Sequence, residues 1–256
     1  MTIQKITALS NNYANKIAKQ TSFLTERFGI SYFTFQKVTH DGQWSLLTNS
    51  PSWHEYSADN KYYLHDPTLG PHQKYRSGVC LTSAHEHEDT VMVLSDVRDR
   101  FKLDHCLAIV TKKPEYCEFA FFAAPVENKK VINTYITQLD QLRQFVNFFK
   151  LENNKLLAKL EDDQINLNSI IPNFKNRDNV LEIAPTQADT TLVFDNLTIR
   201  EQECLYHFLR GKTARETGAA LNLSPRTVED YITRLKIKLG CDNKRDLHKV
   251  FPRDIF

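Results

Sequence analysis

Glycine is scarce in this chain: 7 residues of 256. That argues against folds built on glycine-rich loops. Cysteine is scarce too, and its number is odd: Cys80, Cys106, Cys117, Cys204 and Cys241, with no Cys-x-x-Cys. A disulfide framework or zinc ribbon is not expected, and a reducing cytoplasm fits. No uninterrupted apolar run reaches the ~18 residues that a membrane span needs. The N-terminal stretch MTIQKITALSNNYANKIAKQ lacks an apolar h-region, so no signal peptide is expected. Net charge is only +2, which alone says nothing about partners.

What is present supports folding. Hydrophobic residues make up 41% of the chain, including 16 Phe and 10 Tyr, enough for a sizeable core. The charge is unevenly spread. Residues 197–256 hold 12 Lys+Arg against 8 Asp+Glu, a balance of +4, which leaves 21 against 23 for residues 1–196. A small basic piece on a slightly acidic body fits a nucleic-acid reader joined to another domain.

Periodicity predicts a helix over residues 7–28, ending at Gly29. ISYFTFQKV and QWSLLT read as a hairpin turned at Asp41-Gly42. A helix starts at Pro51, with Pro67 beyond its end. GVCLTS, DHCLAIVT and EYCEFAFFAA read as strands, and EDTVMVLSDVRDRFKL as a helix. Residues 129–163 read as one long amphipathic helix, with a stripe that includes Ile132, Ile136, Leu142, Phe149 and Leu160. That helix is a candidate dimer element or a cover for the sheet. The fold class expected is α+β over residues 1–163: an antiparallel sheet flanked by helices, a sensor-like α-β-α sandwich. Residues 164–194 are polar and aperiodic and read as a linker; Ile170-Ile171 and Leu181-Ile183 leave a loop folded back on the first domain as the alternative.

The segment from 195 to 256 reads as an all-α four-helix domain. Gly211-Lys212-Thr213 resembles the end of a phosphate-binding loop, but Tyr206 stands where that loop needs its first glycine, and a helix precedes it. Thr198 with Glu201, and Thr213 with Glu216, have capping-box spacing. Ser224-Pro225 starts a third helix, and Asn222-Leu223 makes the turn before it. Val228, Ile232, Leu235 and Leu239 form that helix's buried stripe, and Gly240 ends it. Asn243 is placed to cap a short fourth helix, with Leu247 and Val250 facing in. Two short helices and a longer one with a polar-basic face make a helix-turn-helix. Candidate contacts to double-stranded DNA are Lys212, Thr213, Ser224, Arg226, Thr227, Glu229, Asp230, Thr233, Arg234, Lys236 and Lys238.

LTIREQECLYHFLRGKTARETGAALNLSPRTVEDYITRLKIKLG resembles the DNA-binding domain of the LuxR family. The resemblance rests on Leu197-Thr198, Arg200-Glu201, Leu205, Gly211-Lys212, Glu216, Ala219, Leu221, Ser224, Thr227-Val228 and Lys238-Leu239-Gly240. It implies a four-helix reader whose last helix often serves as a dimer contact. Tyr231 stands where the family commonly has His, and Glu229-Asp230 lower the positive charge of the reading face.

The N-terminal part is similar in element order to the family's acyl-homoserine-lactone-binding domain. Trp53 and, thirteen residues later, Asp66-Pro67 hold the places of its pocket motif. The resemblance implies that the Trp53 indole donates to a lactone carbonyl and that Asp66 accepts from a ligand amide. Departures are Ser57 and Asn49, where the family has Tyr, and Leu81, where it has an aromatic residue. The candidate ligand-binding set is Trp53, Tyr56, Tyr62, Asp66 and Leu81, although Tyr56 would point elsewhere on the helix. The same residues read equally well as core aromatics and a helix-ending turn. His85, His87 and Cys80 read as loop and strand residues rather than a metal site, Cys106 and Cys117 as core. Asp96, Asp99 and Asp104 read as a solvated helix face.

The expectation is a cytoplasmic transcriptional regulator that binds DNA as a homodimer and senses a small molecule, acyl-homoserine-lactone-like by the resemblance. No cofactor, metal or membrane partner is expected, and no nucleophile-base arrangement points to an enzyme. The alternative is a ligand-independent regulator whose first domain is a dimerisation or docking scaffold.

Overall fold

The computed structural model describes residues 3–85, 87–185, 197–239, 241 and 243–247. The chain divides into two compact units. One comprises Met1–Thr137 with Lys155–Thr186, the other Gln138–Asn154 with Gln187–Phe256.

The first unit is built on an antiparallel sheet of seven strands in the order β6-β2-β1-β5-β4-β3-β7. The strands are β1 (Tyr32–Thr39), β2 (Gln43–Thr48), β3 (Gly78–Leu81), β4 (Leu103–Lys112), β5 (Tyr116–Pro125), β6 (Ile165–Asn166) and β7 (Ala184–Pro185). The β1–β2 turn needs Gly42, whose φ of 85° and contact with Asn168 leave no room for a side chain. α1 (Ile3–Phe28) and α4 (Val131–Thr137) lie on one face of the sheet. Tyr135 of α4 donates to the Phe122 carbonyl at 3.0 Å, and Asn49 beside β2 donates to Thr21 of α1 at 3.1 Å. α2 (Pro51–Asp59) and α3 (Glu88–Phe101) lie on the other. This is the α+β layering that the strand alternation predicts.

Residues 164–183 do not behave as a linker. Ile165, Leu167, Ile171, Phe174, Leu181 and Ile183 are all buried in the first unit's core. β6 extends the sheet beyond β2, and β7 extends it beyond β3. Arg177 donates to the carbonyls of Tyr63 and Leu64 at 3.2 and 2.9 Å, and Leu181 N–H to that of Pro67 at 2.8 Å. Sheet edges with free backbone groups capture a polar strand that has no period of its own.

The helix expected over 129–163 is three helices: α4, α5 (Leu139–Glu152) and α6 (Asn154–Glu161). Breaks fall at Gln138 (φ −119°, ψ 16°) and Asn153 (φ −104°, ψ 14°). The side chains of Thr137 and Asn153 donate to carbonyls four residues earlier, Asn133 and Phe149, at 2.9 Å each. Such back-bonding competes with the helix ladder and bends or ends it.

The second unit contains α5, α7 (Ile199–Leu209), α8 (Ala214–Leu221) and α9 (Pro225–Lys238). Leu197, Cys204, Leu205, Leu209, Val228, Ile232, Leu235 and Leu247 bury together with Phe148 of α5. The Phe148 ring lies 5.5 Å from that of Tyr206, and Glu152 accepts from Arg210 at 3.3 Å. Asn243 caps a turn that delivers Leu247 to this core. Gly240 and Val250 lie outside the described residues.

Candidate functional sites

Between the sheet and α2–α3 the first unit is hollow. The cavity has a volume of about 130 Å³. Val93, Leu94 and Val97 of α3 make one wall, with Leu103, Phe121 and Ala123 from the sheet. From β1, Tyr32, Thr34 and Gln36 alternate toward the cavity and supply part of its polar lining.

Two hydrogen-bonded chains run through that lining. In the first, the Trp44 indole donates to Gln36 at 3.3 Å, Gln36 to Thr68 at 2.9 Å, and Thr68 to Asp66 Oδ1 at 2.6 Å. The Thr68 N–H also donates to Asp66 Oδ1 at 2.8 Å. Among the described residues the other carboxylate oxygen, Oδ2, receives no bond, and it is open to the cavity. Burial raises the Asp66 carboxyl above its ordinary value, although the Thr68 bonds and the charge of Arg177 oppose the shift. In the second chain Thr34 donates to Thr48 at 2.8 Å, and His54 Nε2 lies within hydrogen-bond reach of the hydroxyls of Thr34 at 3.1 Å and Tyr32 at 3.3 Å. Burial lowers the His54 pKa to about 4, so the ring is neutral at pH 7.

Of the residues expected at a ligand site, Trp53 and Asp66 line this cavity; Tyr56, Tyr62 and Leu81 do not. Trp53 also packs against Tyr56, Tyr62 and Phe101, with centroids 5.3 to 6.3 Å apart. Tyr56 and Tyr62 turn instead to α3, donating to Asp96 Oδ2 at 2.7 and 2.5 Å. These bonds lower the Asp96 pKa, and Arg100 approaches the same oxygen at 3.5 Å. Asp96 therefore ties α2 to α3, and Asp104 accepts from Arg98 at 2.9 Å; neither is merely solvated. Ser57 lines the cavity at the place where the resemblance expects Tyr. Sequence reading missed Thr34, Gln36, His54, Thr82 and Thr90. Thr34 and Gln36 left a signal: two polar residues on the face of β1 opposite Phe33 and Phe35. Among the described residues no cluster of His, Cys, Asp or Glu is built to hold a metal ion.

In the second unit each helix start is closed locally. Thr198 accepts from Glu201 N–H at 3.3 Å and Glu201 accepts from Thr198 N–H at 2.7 Å. Thr213 and Glu216 repeat the box, and Ser224 accepts from Thr227 N–H at 3.0 Å. Asn222 (φ 58°) turns the chain between α8 and α9. A Cβ on Gly218 would lie 2.5 Å from the Leu223 carbonyl oxygen, so only glycine permits this turn. Residues 195–251 match the family described as bacterial regulatory proteins, luxR family. They form a LuxR-type helix-turn-helix domain.

The LuxR-type domain exposes Lys212, Thr213, Ser224, Arg226, Glu229, Asp230, Thr233 and Arg234, with Thr227 and Lys236 half-buried. Lys238 is not free for the reading face: it donates to the buried Glu201 at 2.8 Å and joins α9 to α7. Burial pushes the Glu201 pKa up, but the bonds from Lys238 and Thr198 outweigh it and the net shift is down.

No curated protein matches the chain. Among solved structures the chain is similar to Escherichia coli SdiA in space group P6522, at 18% identity and a TM-score of 0.36 over 91% of this chain and 87% of that one. For SdiA in complex with octanoyl-rac-glycerol the identity is 17% and the TM-score 0.37, over 91% and 85%. Likeness at this level bears on neither ligand nor mode of action.

Proposed function

We propose that this protein is a cytoplasmic, sequence-specific DNA-binding transcriptional regulator that acts as a homodimer and whose first unit senses a small molecule. The observation that carries the sensing is the half-satisfied carboxylate of Asp66 inside an apolar-walled cavity. Such a group is costly in an empty pocket and gains when a ligand N–H or O–H reaches it. An aliphatic chain would lie along Val93, Leu94 and Val97. A ligand preferring one conformation shifts the protein toward it, and thereby changes whether two readers span two half-sites.

On DNA, α9 would enter the major groove with Arg226 and Thr227 at base edges. Glu229 and Asp230 would accept from cytosine amino groups. Lys212, Thr213, Ser224, Thr233, Arg234 and Lys236 would meet phosphates, aided by the helix N-termini.

Selection of bound duplexes from a randomised pool tests the reader. Arg226→Ala and Thr227→Ala should each cost roughly 1–3 kcal/mol of specific affinity while leaving the fold intact. Unchanged affinity would misplace α9. Native mass spectrometry of protein purified from its own host tests the sensor. A dimer carrying a discrete small-molecule mass, lost in Asp66→Ala, is the expected result. A clean apo dimer would favour the ligand-independent scaffold.

A further inference from the structure

We infer that Arg210 is a further phosphate contact of the DNA reader and that Glu152 of α5 withholds it, so that α5 lowers the reader's affinity for DNA. This rests on the proposed placement of the helix-turn-helix on duplex DNA. Arg210 closes α7 and stands three residues before Thr213, the cap of α8. That helix start, with Lys212, is proposed above to meet phosphates. The Arg210 guanidinium lies over the Tyr206 ring at 5.4 Å, donates to the Tyr206 hydroxyl at 2.5 Å and to Glu152 Oε1 at 3.3 Å. Burial, and after it the charge of Glu152, raises the Tyr206 pKa, so the hydroxyl is neutral and Glu152 is the anion of the group. Burial also lowers the His207 pKa, and the charges of Lys212 and Arg210 add to that shift. Two cations therefore gather at the corner between α7 and α8, and Glu152 occupies one of them.

That carboxylate is not the reader's own. The LuxR-type match covers residues 195–251, and Glu152 reaches Arg210 from 58 residues upstream. Arg200, by contrast, is paired inside the domain, with Glu203 three residues on. Glu152 is also the last residue of α5, where the helix macrodipole disfavours a carboxylate. A neutral residue would suit the helix end better; what the carboxylate adds is a charge for Arg210. The pair is open to water, with Arg210 41% and Glu152 37% exposed, so the bond is weak and a DNA phosphate can replace it. While it holds, one cation is neutralised and a negative charge stands beside the phosphate-facing helix start. In sequence α5 lies between α4 and α6, and α4 with nearly all of α6 belongs to the first unit. A change in the first unit that moves α5 would release Arg210 without altering any residue of the LuxR-type domain.

The test is fluorescence anisotropy of the full chain on a duplex recovered from the randomised pool, with KCl varied from about 0.05 to 0.3 M. Glu152→Gln keeps the shape of the side chain and an oxygen to which Arg210 can donate. It should bind about 3-fold or more tighter, and its plot of log K against log [KCl] should steepen by about 0.9 per reader. Arg210→Gln alone should change little, and Glu152→Gln/Arg210→Gln should lose the gain. Asp140→Asn removes the same charge from the other end of α5, where Asp140 meets Arg143 at 3.4 Å, and should leave affinity and slope unchanged. No gain in Glu152→Gln, a gain that persists without Arg210, or an equal gain in Asp140→Asn would each overturn the inference. A shallower slope in Arg210→Gln alone would show that Arg210 is already on DNA, and would overturn it too. If Glu152→Gln and Glu152→Ala both unfold the second unit, the pair is structural and the inference fails. If the parent chain binds no duplex at any salt, the DNA-reading proposal itself falls.

Discussion

The first unit and the second treat their polar side chains in opposite ways. In the second, Thr198, Thr213 and Ser224 each bond to a group three residues away and close a helix start. In the first, His54 reaches Thr34 across 20 residues and Gln36 reaches Thr68 across 32, deep in the interior. Local closure leaves most of the reader's other polar groups facing outward, with the Lys238–Glu201 bond as an exception. Long-range closure holds open a hollow whose spare hydrogen-bonding capacity faces inward. The first arrangement presents a surface to a large polymer, and the second lines a small interior volume.

That contrast can be broken most severely at Phe148. Phe148→Ala should lower the stability of the second unit by about 3–5 kcal/mol, read as faster hydrogen exchange in α7 and α9. Protection within 1 kcal/mol of the parent would show that α5 is not part of that core.

A smaller effect sharpens the inward side of the comparison. His54 takes a proton near 6.5 when unfolded and near 4 when folded. Between those values the unfolded chain binds more protons, so stability falls as pH drops, by about 3 kcal/mol from this group. Asp66, whose carboxyl is raised, works in the other direction as pH falls. His54→Gln should flatten the loss in calorimetric scans from pH 7 to 4. An unaltered slope would mean that the ring is not held neutral by burial.

The smallest effects fall on the caps. Thr198→Ala and Thr213→Ala should each cost about 1 kcal/mol in denaturant midpoints. A loss well above 2 kcal/mol at either would show that these boxes carry tertiary contacts as well.

The same contrast decides what was legible beforehand. Capping boxes, the Ser224-Pro225 start and the Asn222 turn are written within four residues of each other, and all stand in the structure as read. Strands β1 and β5 announce themselves by alternation, and β3 and β4 by short apolar runs. Residues 164–183 do not: Ile165 reaches the core from a two-residue edge strand, Leu167 and Phe174 from 3-10 turns and Leu181 from a loop, so no helix or strand period links them. At the cavity, the spacing of Trp53 and Asp66 picks out two residues that line it. Tyr56 and Tyr62 stand outside the lining, their hydroxyls drawn to Asp96, more than thirty residues on. Thr82 and Thr90 could not be singled out, since which threonines line a cavity is visible only once the chain is folded.

The membership of α5 has a practical edge for anyone dissecting the protein. The chain changes character near residue 195, and a scissile point there looks natural on paper. The excised C-terminal fragment would leave Phe148 and Glu152 behind, stripping Tyr206 of its ring neighbour and Arg210 of its counter-ion. A reader freed this way would be an incomplete object, and weak DNA binding by it would measure the missing helix rather than the missing signal.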